Sequence, residues 1–180
     1  LADAGPASAF VDSPVIGAPS VIERGEGYFL IGGPNATVNR IEPLWKDLSV
    51  GHTHCGPVGA GSVMKLATNL LLIAEVAILA EAVAISRKNG IADNLIKSVL
   101  AESVVLSPAT RSRLESILRA DHPGWFSPEL ARKDIRLALD LAKRGGVLAQ
   151  ITPATERMLT DVIEDKNRWK DVSAIIEALV

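Results

Sequence analysis

The sequence predicts a mostly α fold, a helical bundle around one long helix, preceded by a short α/β segment. Three observations carry that prediction. Residues 58–89 hold no proline, are dominated by Ala, Leu, Ile and Val, and close on Asn89-Gly90, a pair that ends helices. Further on, Ser107-Pro108, Ser127-Pro128 and Thr152-Pro153 each place a capping hydroxyl before a proline at the first helical position. Finally, hydrophobic residues make up 48% of the 180 positions but aromatics only 4%, so the core must be aliphatic. Its Ala and Leu favour helix.

Taken in order, "AFVDSPVIG" (9–17) is a β-branched run stopped by Pro and Gly, and "GYFLIGG" (27–33) is a second apolar run bounded by glycines. Both read as strands, with "APSVIERGE" as their connection. A helix is expected over 36–48 and a short strand over 50–55. The long helix over 58–89 would measure about 45 Å at 1.5 Å per residue. That exceeds the needs of a small domain, so it is expected to cross a domain or subunit boundary. Shorter helices are expected over 93–103, 108–119, 128–144, 153–164 and 172–179, the last capped by Asp171. Trp45, Trp125 and Trp169 are expected to pack. No internal repeat or low-complexity tract is present.

Composition narrows the function classes. The net charge is −2, with no Lys/Arg run, so nothing drives binding to nucleic-acid phosphates or an anionic membrane. A single cysteine, Cys55, excludes an intrachain disulfide framework and fits a reducing compartment. The opening "LADAGPASAF" lacks the basic and apolar regions of a signal peptide and reads as the continuation of something longer. Residues 66–85 are apolar enough to suggest a membrane helix, but Glu75 and Glu81 interrupt them. Each charge there would cost about 3 kcal/mol. The expectation is a soluble, cytoplasmic protein whose long helix is buried on most sides, in part by a second subunit.

The candidate chemistry begins at "GPVGAGSVMKLATN" (56–69). As a phosphate loop it fails, because Ser62 follows Gly61 where a lysine is needed and Lys65 comes three residues late. As a dinucleotide turn it fails too, since the Gly56, Gly59 and Gly61 spacing is reversed. Lys65 and Asn69 share one helix face, four residues apart, as proton transfer to a small substrate would require. Spacing alone still favours a glycine-rich helix entry without function. In "FSPELARKDIRLALDLA" (126–142) the adjacent Lys133 and Asp134 interrupt an apolar stripe. A surface pair between Glu129 and Lys133 is the favoured reading, and a charged pair facing a cleft the other. "HTHC" (52–55) puts two histidines on one strand face, but no third ligand lies at zinc spacing and no metal site is expected.

Together these segments resemble the β-hydroxyacid dehydrogenase family, the 3-hydroxyisobutyrate dehydrogenases related to 6-phosphogluconate dehydrogenase, over essentially the whole chain. "FVDSPVIGAPSVIERGEGYFLIGG" is similar to the family's D-x-P-V-S-G-G substrate segment and the run that follows it. "GPVGAGSVMKLATNLLL" resembles its catalytic G-x-G-x-x-x-K-x-x-x-N, "FSPELARKDIRLAL" its F-x-x-x-L-x-x-K-D, and "DVSAII" its D-x-S-A. The resemblance implies a 6-phosphogluconate dehydrogenase-like all-α C-terminal domain over 58–180, preceded over 1–57 by the last strands and helix of a Rossmann domain.

It also implies roles. Lys65 would be the catalytic acid/base, and Asn69 would hold the substrate oxygen. Ile16, Gly17 and Ala18 would form the substrate segment, with Gly17 and Ala18 offering amides to a carboxylate. Lys133 and Phe126 would sit at the nicotinamide end of NAD or NADP. Oxidising an alcohol requires hydride to leave carbon while a base removes the hydroxyl proton; lysine qualifies if desolvation and the cationic nicotinamide lower its pKa from about 10.4. Imine reductases share the architecture but typically carry another residue at the position of Lys65.

Two departures qualify the resemblance. Ile16-Gly17-Ala18 replaces the family's Ser-Gly-Gly, which predicts a bulkier or more apolar hydroxyacid or semialdehyde than usual. No Gly-rich dinucleotide turn occurs in these 180 residues, so on their own they are expected to be inactive. The glycines of 56–61 are expected to admit substrate and cofactor close to the backbone. A homodimer or higher homo-oligomer is expected, and a non-catalytic helical dimerisation module is the alternative.

Overall fold

The computed structural model describes residues 8–124 and 126–179, apart from the side chains of Asp165 and Lys166. It divides into two compact units, Leu1–Ala67 and Thr68–Val180.

The first unit carries a three-stranded sheet in the order β1 (Val15–Ile16), β2 (Tyr28–Gly32), β3 (Gly51–Gly56). β1 runs antiparallel to β2, pairing Val15 with Phe29, while β3 lies parallel to β2, pairing Leu30 with Thr53. Asp12 adds a single antiparallel bridge to Gly32. A short α1 (Pro19–Glu23) joins β1 to β2. The helix expected over 36–48 is two helices, α2 (Asn35–Arg40) and α3 (Glu42–Leu48), broken at Ile41. Pro43 causes the break, since it has no N–H to continue the ladder and its ring crowds the carbonyl one turn back. Ile31, Val38 and Trp45 form the buried core, with Val11, Phe29 and Ile41 against it. Trp45 packs as expected, its ring 5.2 Å from that of Phe29.

The second unit is helical. Most of α4 (Ala60–Lys88) belongs to it, followed by α5 (Asp93–Ala101), α6 (Pro108–Arg111), α7 (Leu114–Arg119), α8 (Pro128–Arg144) and α9 (Ile151–Val162). Ile73, Val76, Ala77, Ala80, Val83 and Ala84 recur at helical spacing and bury one face of α4 against Ile117, Ile135, Leu159 and Ile175. By length and composition α4 could cross a membrane, yet much of it is not buried. Burial is therefore confined to one face, and Leu71, Ile78 and Ile85 remain exposed. Glu75 has a local reason to be charged. Its carboxylate accepts the Ser107 N–H at 2.6 Å, at the entry of α6. Burial pulls its pKa up, but the hydrogen bonds from Ser107 and Thr110 outweigh that and hold it below the ordinary carboxylate value.

Several sequence expectations change here. The helix expected over 108–119 splits at Ser112 and Arg113, because the Ala109 carbonyl is taken by Ser112 Oγ and Arg113 Nη1, both at 2.8 Å. The Arg113 N–H shifts to Thr110 instead. Ser107 and Ser127 cap α6 and α8 as predicted, accepting from Thr110 N and Leu130 N. Thr152 does not cap α9, which begins at Ile151 behind Gln150 and leaves Thr152 buried. Proline is tolerated throughout a first helical turn, where amides lack intrahelical acceptors, so Pro153 marks the start only loosely.

The end of α9 loosens into a π-helical stretch, Ile163–Asn167, and the last helix, Val172–Leu179, is 3-10 rather than α. Asp171 accepts the Ser173 N–H at 3.0 Å, as a cap should. Trp169 does not pack. It is 74% exposed, with Arg168 over its ring. Trp125 lies outside the described residues.

Candidate active site

In the first unit, β1 ends on Ile16, and Gly17 turns the chain into α1 with φ of +149°, a value suited to glycine. The Ala18 carbonyl then accepts the Val21 and Ile22 amides at 2.9 and 3.0 Å. Ile16, Gly17 and Ala18 are thus consecutive at a strand-to-helix turn, with only Ile16 inside the strand.

The entry of α4 is held by a carboxylate from far back in the chain. Asp12 Oδ1 accepts the Gly59 N–H at 2.6 Å, and Oδ2 accepts the Ser62 N–H at 2.7 Å and its hydroxyl at 3.0 Å. A side chain at Gly61 would run into the Leu30 carbonyl of β2, and one at Gly32 into the Asp12 carboxylate. The expectation that these glycines admit ligands changes at Gly61, whose missing side chain lets helix and strand touch. Gly59, with φ of +95°, faces open space. Burial alone would raise the Asp12 pKa, but the hydrogen bonds from Gly59 and Ser62 outweigh it and hold the carboxyl below 3.8. Lys65 follows Ser62 by three residues, so it stands one turn into the helix that Asp12 clamps.

In the second unit, Asn69 Nδ2 donates to Asp134 Oδ2 at 2.6 Å, and Lys133 Nζ lies 2.8 Å from Asp134 Oδ1. An ionised carboxylate only accepts, so the Asn69 amide must present its NH₂ to Asp134; one N–H is spent there and a second donor remains. Asp134 is 7% exposed, whereas the Lys133 side chain is 60% exposed. The surface pair expected between Glu129 and Lys133 does not form. Glu129 pairs with Arg132 and Arg168, and Lys133 turns to its own neighbour. Phe126 is buried in the helical core, and its carbonyl accepts the Val172 N–H at 2.8 Å.

Lys65 and Asn69 are therefore carried by one continuous helix, four residues apart. Asn69 of α4 and Lys133 of α8 meet through Asp134, and Phe126 stands just before α8. Sequence reasoning passed over Asp12 and gave Asp134 no role of its own. The available signal for Asp134 was a charged pair inside an apolar stripe; for Asp12 it was its place as the first residue of the D-x-P-V-S-G-G resemblance. His54 is occupied structurally, its Nε2 lying 2.8 Å from the Gly33 carbonyl and 2.9 Å from that of Gly56. Among the described residues no cluster of three or more His, Cys, Asp or Glu could hold a metal.

A family model described as the NAD-binding domain of NADP-dependent 3-hydroxyisobutyrate dehydrogenase matches residues 59–179. The chain is 31% identical to 2-(hydroxymethyl)glutarate dehydrogenase of Eubacterium barkeri, over 93% of its own length and 56% of that protein's. It is 28% identical to glyoxylate/succinic semialdehyde reductase 2 of Arabidopsis thaliana, over 94% of its length and 48% of that protein's. Its fold matches 3-hydroxyisobutyrate dehydrogenase from Salmonella typhimurium with a TM-score of 0.84 at 24% identity, covering 94% of this chain and 60% of that one. The chain spans about half the length of the curated relatives it matches.

Proposed function

Because this chain belongs to the 3-hydroxyisobutyrate dehydrogenase family, we propose that it supplies the substrate-binding and catalytic-lysine portion of an NAD(P)-dependent hydroxyacid dehydrogenase. The observation that carries the proposal is the pair Lys65 and Asn69 one turn apart on α4, with the Asn69 amide anchored by Asp134.

Lys65 takes the hydroxyl proton on oxidation and returns it to the forming alkoxide on reduction. Asn69 points its remaining N–H at the substrate oxygen, and Asp134 keeps that amide from rotating. Gly17 and Ala18 offer backbone amides to the substrate carboxylate, and Ile16 narrows the pocket towards apolar substituents. A bound nicotinamide supplies the hydride acceptor. The exposed Lys133 ammonium, pinned by Asp134, suits contact with the nicotinamide end of a dinucleotide, and Phe126 supports that end from the core. Residues 1–57 would close a cofactor-binding domain and 58–180 form the all-α domain. A polypeptide of these 180 residues alone would not bind NAD(P), because it contains no dinucleotide turn.

A second copy of the chain is the proposed partner. Leu71, Ile78 and Ile85 recur every seven residues on the open face of α4, the spacing of a helix–helix seam. A non-catalytic dimerisation module would use the same stripe. Turnover separates the two readings. The product of the complete reading frame, assayed with NAD and NADP against a panel of 3-hydroxyacids, should oxidise at least one, and bulkier analogues should outrun 3-hydroxyisobutyrate. No turnover with either cofactor would leave the dimerisation module.

A further inference from the structure

We propose that Asp12 is a positioning residue for Lys65: its carboxylate clamps the first turn of α4 to β2 and so fixes where the lysine side chain emerges. This rests on the acid/base reading of Lys65, but the clamp itself stands on independent geometry.

An isolated helix entry leaves its first N–H groups without partners and free to fray. Here two of them, at Gly59 and Ser62, are satisfied by one carboxylate 47 and 50 residues back in the chain. The Ser62 hydroxyl adds a third bond to the same group. Asp12 is itself held from both sides of its backbone, donating its N–H to the Gly32 carbonyl at 2.9 Å and accepting the Gly32 N–H at 2.8 Å. The carboxylate is therefore tied to β2, and α4 is tied to the carboxylate.

Two glycines make this approach possible. Gly32 leaves room for the Asp12 oxygens, and Gly61 lets the helix rest on the Leu30 carbonyl. A negative group at the positive end of a helix dipole adds to the hold. The contact repeats nothing that α4 could make by itself, because Asp12 is no part of the helix. Lys65 is one turn beyond Ser62, so rotation or fraying of that turn moves the lysine while leaving the core-packed middle of α4 in place.

The test pairs Asp12→Asn with Ser62→Ala in the product of the complete reading frame, read by amide hydrogen exchange, by the side-chain NMR signal of Lys65 and by steady-state kinetics well below the melting temperature. Asparagine keeps one acceptor but turns an NH₂ towards the Ser62 N–H. In Asp12→Asn, exchange at Gly59, Ser62 and Val63 should rise about tenfold or more, with exchange at Leu79 to Ala84 unchanged. The Lys65 signal should shift or broaden. Turnover number should fall about tenfold with the Michaelis constants for cofactor and hydroxyacid within about twofold, a split that general destabilisation would not produce. Ser62→Ala, which loses only the hydroxyl bond, should change turnover less than about threefold. Unchanged exchange in the first turn would overturn the clamp. Faster exchange with an unmoved Lys65 signal would overturn the positioning role. If the wild type oxidises no hydroxyacid, the dehydrogenase reading fails, and the exchange and Lys65 signals still decide the clamp.

Discussion

The first unit buries a small core of Ile31, Val38 and Trp45, whereas the second buries a continuous aliphatic cluster running from α4 through α8 and α9 to the 3-10 helix. Each has a principal polar fastening. In the first it is Asp12, whose partners are backbone amides and a hydroxyl. In the second it is the ion pair of Arg113 and Asp171, with bonds of 2.8 and 3.1 Å and both residues buried. A unit with little apolar volume depends on close backbone contact and on glycines that permit it. A unit with ample volume can enclose a charge pair, provided neither partner is removed.

Breaking the second fastening should have the larger effect on stability. Arg113→Ala would leave Asp171 buried and unpaired, at a cost of about 3–5 kcal/mol. Urea unfolding should show the loss, and a loss under about 1 kcal/mol would mean that water reaches the pair. Gly61→Ala should come next, costing about 1–3 kcal/mol, because the added methyl meets a strand carbonyl rather than a flexible side chain. The same substitution at Gly59 meets no neighbour but must adopt a positive φ, so it separates contact from backbone strain.

Asp12→Asn should cost least, about 1 kcal/mol, as loss of a helix cap does. Its pH dependence is the sharper readout. Asp12 binds its proton less readily folded than at its ordinary value of 3.8, so the stability it adds is present above that value. That contribution is lost as the pH falls through the lower folded value. The gap between wild type and Asp12→Asn should therefore shrink below pH 3.8, and a gap that widened there would contradict the clamp.

Legibility followed the same division. Local signals located α8 from Pro128 to Arg144, because the Ser127-Pro128 cap lies within the segment itself. They placed β2 between its glycines and Asp171 at the cap of the final helix. Where the deciding contact was remote, they fell short. The break after Arg111 depends on Ser112 and Arg113 claiming a carbonyl, and Arg113 is drawn to an aspartate 58 residues on. Asn69 finds Asp134 across 65 residues, and Asp12 finds Ser62 across 50. Periodicity carries no information about either. Helical spacing alone puts Lys65 and Asn69 one turn apart on α4, but the contacts of Asp134 with Asn69 and of Asp12 with Gly59 and Ser62 were not legible.

The role of Lys65 is tested most directly by the turnover number and cofactor affinity of Lys65→Ala beside the wild type, in the product of the complete reading frame. Loss of a general acid/base should cut hydroxyacid oxidation by about a hundredfold to ten-thousandfold. NAD(P) affinity should stay within about twofold, because the lysine acts on the substrate proton. A variant that kept a tenth of the wild-type rate would contradict the assignment of Lys65 as acid/base.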